Sequence, residues 1–317
     1  MKIGITGCTG GLGSKLVELL AEKGFRITAF VRKASNTDNL KKLDIEFIYG
    51  DISDPESLAD FIIGIDICYH IAATVGKATK KHYYETNVIG TKNICDAIVN
   101  NNPSCRLIYC SSIAIFRIKF FNRFIYSDYT ISKYNAGRVV DDYMRNKNLK
   151  ATVIYPGYMY GPNDRNFMPL ITGLLENGLK FLVSGGEENA PIVYIDDLCE
   201  LFYRAGINTI AIGKKYIGVK SLDIGVHDFV KCIAERLDYP YPEKKYPRIP
   251  MVAITVVLEA LYKLFRIKSN PPLTMRVVGF LSYNFKMNND LALRELGWQP
   301  QTMVPEGLDK ALRGYKK

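Results

Sequence analysis

The eleven residues from Ile3 to Gly13, Ile-Gly-Ile-Thr-Gly-Cys-Thr-Gly-Gly-Leu-Gly, constrain this chain more than any other stretch. An alternating apolar run (Ile3, Ile5) stops at a turn carrying Gly7, Gly10 and Gly13. A helical pattern follows at once, with Leu12, Leu16, Leu19 and Leu20 on one face. Strand, glycine turn and helix in that order build an anion site. The missing side chains let backbone approach a pyrophosphate, and the new helix aims its unpaired N–H groups and dipole at it. The spacing is GxxGxxG, one residue wider than the commoner dinucleotide fingerprint. Three glycines also serve a plain structural turn; the flanking strand and helix favour the dinucleotide.

The chain continues in the same rhythm. Phe25 to Val31 reads as a second strand ending in Arg32-Lys33. In nucleotide-binding α/β folds an acid at this position bonds the ribose 2′-hydroxyl, whereas an arginine accommodates a 2′-phosphate. Arg32 therefore favours NADP over NAD, unless the pair is a solvated basic loop. A third strand, Ile45 to Ile48, closes on Gly50-Asp51-Ile52-Ser53-Asp54-Pro55, where Ser53 or Asp54 can cap the helix that starts at Pro55. Asp51 is placed to accept from an adenine amino group or to serve as a turn acid. Ile65 to Ala73 is almost continuously apolar, as a strand buried on both faces should be. It ends in Ala72-Ala73, small enough for a flat cofactor to lie against the backbone. His70, inside this run, reads as a core histidine rather than a catalyst.

Tyr83 to Val99 forms a long helix containing Asn87, and Arg106 to Ser112 a fifth strand with Ser111 and Ser112 at its carboxyl end, the edge where ligands gather in open parallel sheets. Tyr129 and Lys133 open the next helix and, four residues apart, share one face.

Composition limits the partners. With 317 residues, 48% hydrophobic and 23% charged, the chain can bury one large α/β core and a smaller lobe. Its seven cysteines form no CxxC pair and lie in apolar runs, as reduced thiols do, and no metal site is expected. A net charge of +10 allows nucleic acid, an anionic membrane surface or an anionic ligand. The basic residues are scattered and no nucleic-acid motif is present, which argues against the first. The first strand begins at Lys2 and leaves no room for a signal peptide, so a cytoplasmic location is expected.

Thr6-Gly7-x-x-Gly10-x-x-Gly13, Asp51-Ile52, Ala72-Ala73, Asn87, Ser111-Ser112 and Tyr129-x-x-x-Lys133 together resemble the extended short-chain dehydrogenase/reductase family. Tyr155-Pro156-Gly157-Tyr158-Met159-Tyr160-Gly161-Pro162 is similar to its "RPxxxYGP" segment. Val193-Tyr194-Ile195-Asp196-Asp197 is similar to "vyVDD", and Leu296-Gly297-Trp298-Gln299-Pro300 to the terminal "LGWxP". The resemblance implies a Rossmann domain, a doubly wound parallel sheet over residues 1–156, and a smaller C-terminal α/β substrate lobe over 157–317. Residues around 193–205 would cross back to the first domain.

The resemblance also assigns roles. Tyr129 would be the general acid/base. Lys133 would lower its proton affinity and hold the nicotinamide ribose. Ser112, favoured over Ser111 by strand alternation, would bond the reacting carbonyl, and Asn87 would order the helix or a proton path. Thr9, Gly11 and Leu12 in the turn, Ile52 beside Asp51, and Pro156-Gly157 would complete the cofactor site. Family dimers pack two long helices per subunit, which makes a homodimer the expected state. The electrostatics are sound: a phenol with an ordinary pKa near 10 is a poor base at neutral pH, and neighbouring positive charge favours the phenolate.

Several departures narrow the chemistry. Ile115-Phe116-Arg117 replaces the family's Val-Tyr-Gly, and Gly137 stands where a glutamate is common. The segment Gly186-Glu187-Glu188-Asn189-Ala190-Pro191 lacks the arginine with which sugar-nucleotide enzymes clamp a diphosphate. Arg32 and this gap are more similar to the dihydroflavonol-reductase and 3β-hydroxysteroid-dehydrogenase branches. From Ile113 to Asp128, phenylalanines and isoleucines interleave with Arg117, Lys119 and Arg123. They make either core and dimer contacts or a cover that docks an apolar molecule or rests on a membrane surface. Met251 to Phe265 is too short to span a bilayer. It is either a buried lobe helix or pocket wall, or an interfacial helix.

The first functional expectation is thus an NADP-dependent oxidoreductase acting on a carbonyl or secondary alcohol of an apolar small molecule. The alternatives are a nucleotide-sugar epimerase or dehydratase with tightly held NAD, and a non-catalytic NADP sensor.

Overall fold

The apolar runs of the first half become parallel strands separated by helices. In the computed structural model, which describes residues 1–119, 127–187, 189–220, 224–267, 271, 273–282 and 287–315, β1 (Lys2–Thr6) leads into α1 (Gly11–Glu22), and β2 (Arg26–Val31) and β3 (Glu46–Tyr49) precede α2 (Pro55–Ile62). After β4 (Ile67–His70), α3 (Lys80–Tyr83) and α4 (Gly90–Asn101) are joined by a π-helical turn, Tyr84–Ile89. Then come β5 (Arg106–Cys110), a 3₁₀ turn from Ile113 to Lys119, α5 (Asp128–Asn146) and β6 (Ala151–Pro156). Asp54, not Ser53, caps α2, its side chain accepting from the Glu56 N–H at 3.1 Å, while Ser53 bonds Asp51.

The second half supplies β7 (Tyr158–Tyr160), α6 (Met168–Glu176), β8 (Leu182–Val183), β9 (Ile192–Tyr194), α7 (Ile195–Ile207) and β10 (Lys215–Gly218). It ends with α8 (Val226–Leu237), β11 (Lys245–Tyr246), α9 (Arg248–Leu264), α10 (Met275–Leu281), α11 (Asp290–Leu296) and α12 (Val304–Ala311). The main sheet has seven strands in the order β10-β6-β5-β4-β1-β2-β3, all parallel. The order reverses between β1 and β4, the switch point at which open α/β sheets bind ligands. From the second half, α7 packs on α1, and β10 adds the seventh strand beside β6.

The lobe has its own aromatic core, in which Tyr158 stacks on Phe167 at 5.0 Å and both meet Phe280 edge-on. The last motif is tied back to α7. Trp298, 1% exposed, donates Nε1–H to the Asp197 carbonyl at 2.8 Å, and the Asp197 carboxylate accepts from the N–H groups of Gln301 and Thr302.

The apolar run over Met251–Phe265 becomes most of α9. The first turn of α9 does line the central cavity, but the helix is not buried: of its residues only Met251 and Thr255 are. Among the described residues, no helix is long and apolar enough to cross a membrane.

Candidate active site

A cavity of about 1520 Å³ runs from the glycine turn, past the ends of β4 and β5, into the lobe. At its first end Gly7 has φ +76° and lies so near the chain at Ala72 that a Cβ would sit 2.5 Å from the Ala72 nitrogen. A Cβ on Gly13 would collide with the Gly7 carbonyl. Only glycine fits at either position. Gly10 is the N-cap of α1 and offers no side chain to its N–H groups, and the first turn carries no acid. Those N–H groups face the cavity with the positive end of the helix dipole, an arrangement that takes an anion.

Arg32, exposed at the end of β2, and Asp51 line the cavity beside Thr9, Gly11, Leu12 and Ile52. Burial of Asp51 works against its charge, but the Ser53 hydroxyl and N–H, both donating to its Oδ1, and the nearby Arg32 guanidinium hold its carboxyl below the ordinary value. Ala72 and Ala73 lie just past the end of β4, and Pro156 and Gly157 at the end of β6, all on the cavity wall.

Behind this wall a hydrogen-bond chain fixes the loop after β4. Thr91 Oγ1 donates its one proton to the Asn87 carbonyl at 2.6 Å, so it accepts from His70 Nε2 at 3.1 Å. His70 Nδ1 then accepts from the Thr6 hydroxyl at 2.7 Å, and Thr6 Oγ1 accepts from the Ala72 N–H. Burial, assisted by the nearby Lys133 charge, drives His70 down to about 3, so the ring stays neutral. It is the satisfied core histidine that its apolar surroundings imply.

Asn87 is 1% exposed and does not face the cavity. Its Oδ1 accepts from the Thr74 N–H at 2.7 Å, and its Nδ2 donates to the Thr74 carbonyl and to Ser132 Oγ on α5 at 2.8 Å. It binds the loop after β4 to the helix that carries Tyr129 and Lys133. The π turn is what swings it into that position.

The three candidate reacting side chains meet in mid-cavity. Tyr129 and Lys133, one turn apart on α5, and Ser112, just past β5, all line it. The Tyr129 ring packs edge-on against Tyr83 with centroids 6.1 Å apart. Lys133 is 3% exposed, donates to the Cys110 carbonyl at 2.7 Å and lies 4.6 Å from the Tyr109 ring centre. Burial, only partly offset by the Cys110 thiol, lowers its pKa to about 8. Ser111 and Ser112 point different ways: Ser111 Oγ is buried near Gly137 without a hydrogen-bond partner among the described residues, whereas Ser112 Oγ accepts from the Ala114 N–H at 3.2 Å.

The far end is walled by Val75, Tyr158, Met159, Phe167, Val252 and Met275, with Arg165 and Arg248 among them. Apart from Tyr158 and Met159, which fall in a motif, and Val252, which lies in the apolar Met251–Phe265 run, these residues carry no signal in the sequence. The cover expected between Ile113 and Asp128 is only partly visible. Residues 120–126, which hold most of its phenylalanines and Arg123, lie outside the described residues, as do the side chains of Arg117 and Lys119. Phe116 packs on Tyr155 at 4.8 Å. Where sugar-nucleotide enzymes would place an arginine, Glu187 lies near His227 and Lys245.

Comparison with known proteins agrees with this geometry. The sequence profile of the NAD dependent epimerase/dehydratase family matches residues 3–216. A 2-alkyl-3-oxoalkanoate reductase of Stenotrophomonas maltophilia is 25% identical over 97% of this chain and 97% of its own length. A 4-hydroxy-2-methyl-3-oxo-4-farnesyl-3,4-dihydroquinoline-1-oxide ketoreductase of Stigmatella aurantiaca is 22% identical over 99% of this chain and 96% of its own. The crystal structure of gox2253 superimposes with a TM-score of 0.80 at 27% identity, covering 99% of both chains.

Proposed function

Because this chain belongs to the NAD-dependent epimerase/dehydratase family and is an NAD(P)-dependent oxidoreductase of the extended short-chain dehydrogenase/reductase type, we propose that it is an NADP-dependent reductase of apolar small-molecule ketones, with Tyr129 as proton donor. The observation that carries this reading is one continuous cavity: the glycine cradle at one end, Ser112, Tyr129 and Lys133 in the middle, and apolar and aromatic walls at the other.

The residues present fit a dinucleotide. The Gly7–Gly13 backbone and the start of α1 would hold its pyrophosphate, Asp51 its adenine, Arg32 a 2′-phosphate and Lys133 the nicotinamide ribose. Such a cofactor, when bound, supplies the hydride. Ser112 donates a hydrogen bond to the substrate oxygen and orients the carbonyl. Tyr129 gives its phenolic proton to that oxygen as negative charge develops. The Lys133 ammonium favours the phenolate that remains. Asn87 acts through Thr74 and Ser132, as a positioning residue.

The names of the two relatives, one reducing a 2-alkyl-3-oxoalkanoate and the other a farnesyl-bearing ketone, support an apolar substrate here. The acidic, arginine-free segment at 186–191 weighs against a nucleotide sugar. A thermal-shift panel with NADP present tests the reading. Stabilisation by long-chain 3-oxo compounds, ketosteroids or prenylated ketones, and none by UDP-sugars, is expected. The opposite ranking would turn the assignment to an epimerase or dehydratase.

A further inference from the structure

The helix α9 is built inside out. Taken at 100° per residue, Ile249, Ala253, Val256, Val257, Ala260 and Leu264 form one face, and that face is turned to solvent. Ile249 is 84% and Leu264 72% exposed. Two polar side chains in its middle turn inward instead. Thr255 is fully buried, bonding the Met251 carbonyl, and Glu259 accepts from the Met275 N–H at the start of α10. Seventeen residues make this apolar ridge about 25 Å long. Alongside it runs a shallow groove lined by Ala253, Ile254, Val257, Leu258 and Leu261.

Charge identifies the occupant. Between Arg248 and Ile267 the only carboxylate is Glu259, which is engaged with α10, whereas Lys263 and Arg266 are exposed at the helix end. A second copy packed across this face in two-fold symmetry would offer Lys263 and Arg266 no carboxylate from its own α9 other than the engaged Glu259. An anionic bilayer satisfies both features, since apolar side chains enter the acyl boundary while lysine and arginine remain at the headgroups. The ridge is also continuous with the catalytic cavity: Ile249 belongs to both, flanked on the cavity side by Arg248 and Val252.

We propose that α9 seats this enzyme on an anionic membrane surface, with the cavity mouth at the lipid boundary, so that an apolar ketone dissolved in the bilayer enters without crossing water. The seating stands on the helix alone; only the delivery of substrate rests on the reductase reading.

The test is co-sedimentation of the full chain with vesicles of equimolar phosphatidylcholine and phosphatidylglycerol, beside vesicles of phosphatidylcholine alone. The wild type should pellet with the anionic vesicles, pellet less with the neutral ones, and be released by added salt. Leu261→Glu/Leu264→Glu alters two exposed side chains outside the cavity. It should bind at least about tenfold more weakly, with unchanged melting temperature and unchanged turnover of a short, water-soluble ketone. Wild-type protein that stays in the supernatant, or a double variant that pellets equally, overturns the proposal. So does a solution mass that falls from dimer to monomer in the variant, because the occupant would then be a second copy. Vesicle binding needs no turnover, so loss of the reductase assignment would leave this result standing.

Discussion

At the dinucleotide end of the cavity the chain recognises with its backbone: Gly7 and Gly13 cannot carry a Cβ, and the chain Thr6–His70–Thr91–Asn87 holds the loop after β4 through hydrogen bonds buried beneath the surface. At the lobe end it recognises with side-chain surface, as Tyr158, Phe167, Val252 and Met275 present apolar area from three separate segments. A backbone site is specified atom by atom and tolerates little. A side-chain wall is specified by volume and can be re-cut without disturbing the other end. The proposed chemistry lies between the two, on α5 and past β5, where the rigid half can fix it.

The sharpest break is at the junction. Tyr129→Phe removes the proposed proton donor and should lower kcat by about a hundredfold or more, while the cofactor Kd, measured by fluorescence titration, stays the same. Near-normal turnover would remove the mechanism. The two ends can then be separated by a matched pair. Arg32→Ala should weaken NADP by roughly 1.5–3 kcal/mol and NAD far less, the range for hydrogen bonds to a charged group. Val252→Ala should leave both cofactors alone and change kcat/KM for a bulky ketone by about tenfold. Crossed effects, with Val252 moving cofactor affinity, would erase the contrast drawn above.

Lys133 gives a pH signature. The folded chain releases this proton at about 8 because burial penalises the ammonium, whereas an unfolded lysine holds it to about 10.4. Between those values the unfolded state binds more protons, so this group makes the fold more stable as pH rises. Turnover should move the other way, falling as pH passes about 8 and the ammonium is lost. Lys133→Met, compared with wild type by chemical denaturation across the window, should remove the group's stability slope. Parallel slopes in the two proteins would contradict the burial argument.

The smallest effect concerns Gly137. It lies within α5, where, among the described residues, a Cβ would find only Ser111 Oγ, at 4.0 Å. Gly137→Ala should therefore stabilise the protein by about 0.5–1 kcal/mol, the helix-propensity difference. Destabilisation in urea would mean that the space beside Ser111 is needed by the fold.

Most of the backbone-built half could be read from residue order. A glycine turn between an apolar strand and a helix has few meanings, and Tyr129 and Lys133 share a face by periodicity alone. Asn87 could be singled out but not placed, because a π turn shifts the helical phase and no spacing rule anticipates it. The seventh strand was missed because Lys215–Gly218 is short and lies far from β6 in sequence. The apolar run of α9 left a buried helix, a pocket wall and an interfacial helix all open, because periodicity reports which residues share a side, not whether that side meets a core. Much of the lobe wall left no mark, since Phe167, Arg248 and Met275 converge only through the tertiary fold.

The bond from Trp298 to Asp197 has a consequence for how the protein comes into being. A nascent chain that has emerged through β6 already holds the glycine turn, Tyr129 and Lys133, yet lacks β10 and the brace on α7, which itself packs on α1. Such long-range pairings form late, so the half-made protein should be a ready target for proteases until the segment around Trp298 leaves the ribosome. Removing that segment would then lower cellular abundance while sparing every residue of the cofactor site, a defect of lifetime rather than of chemistry.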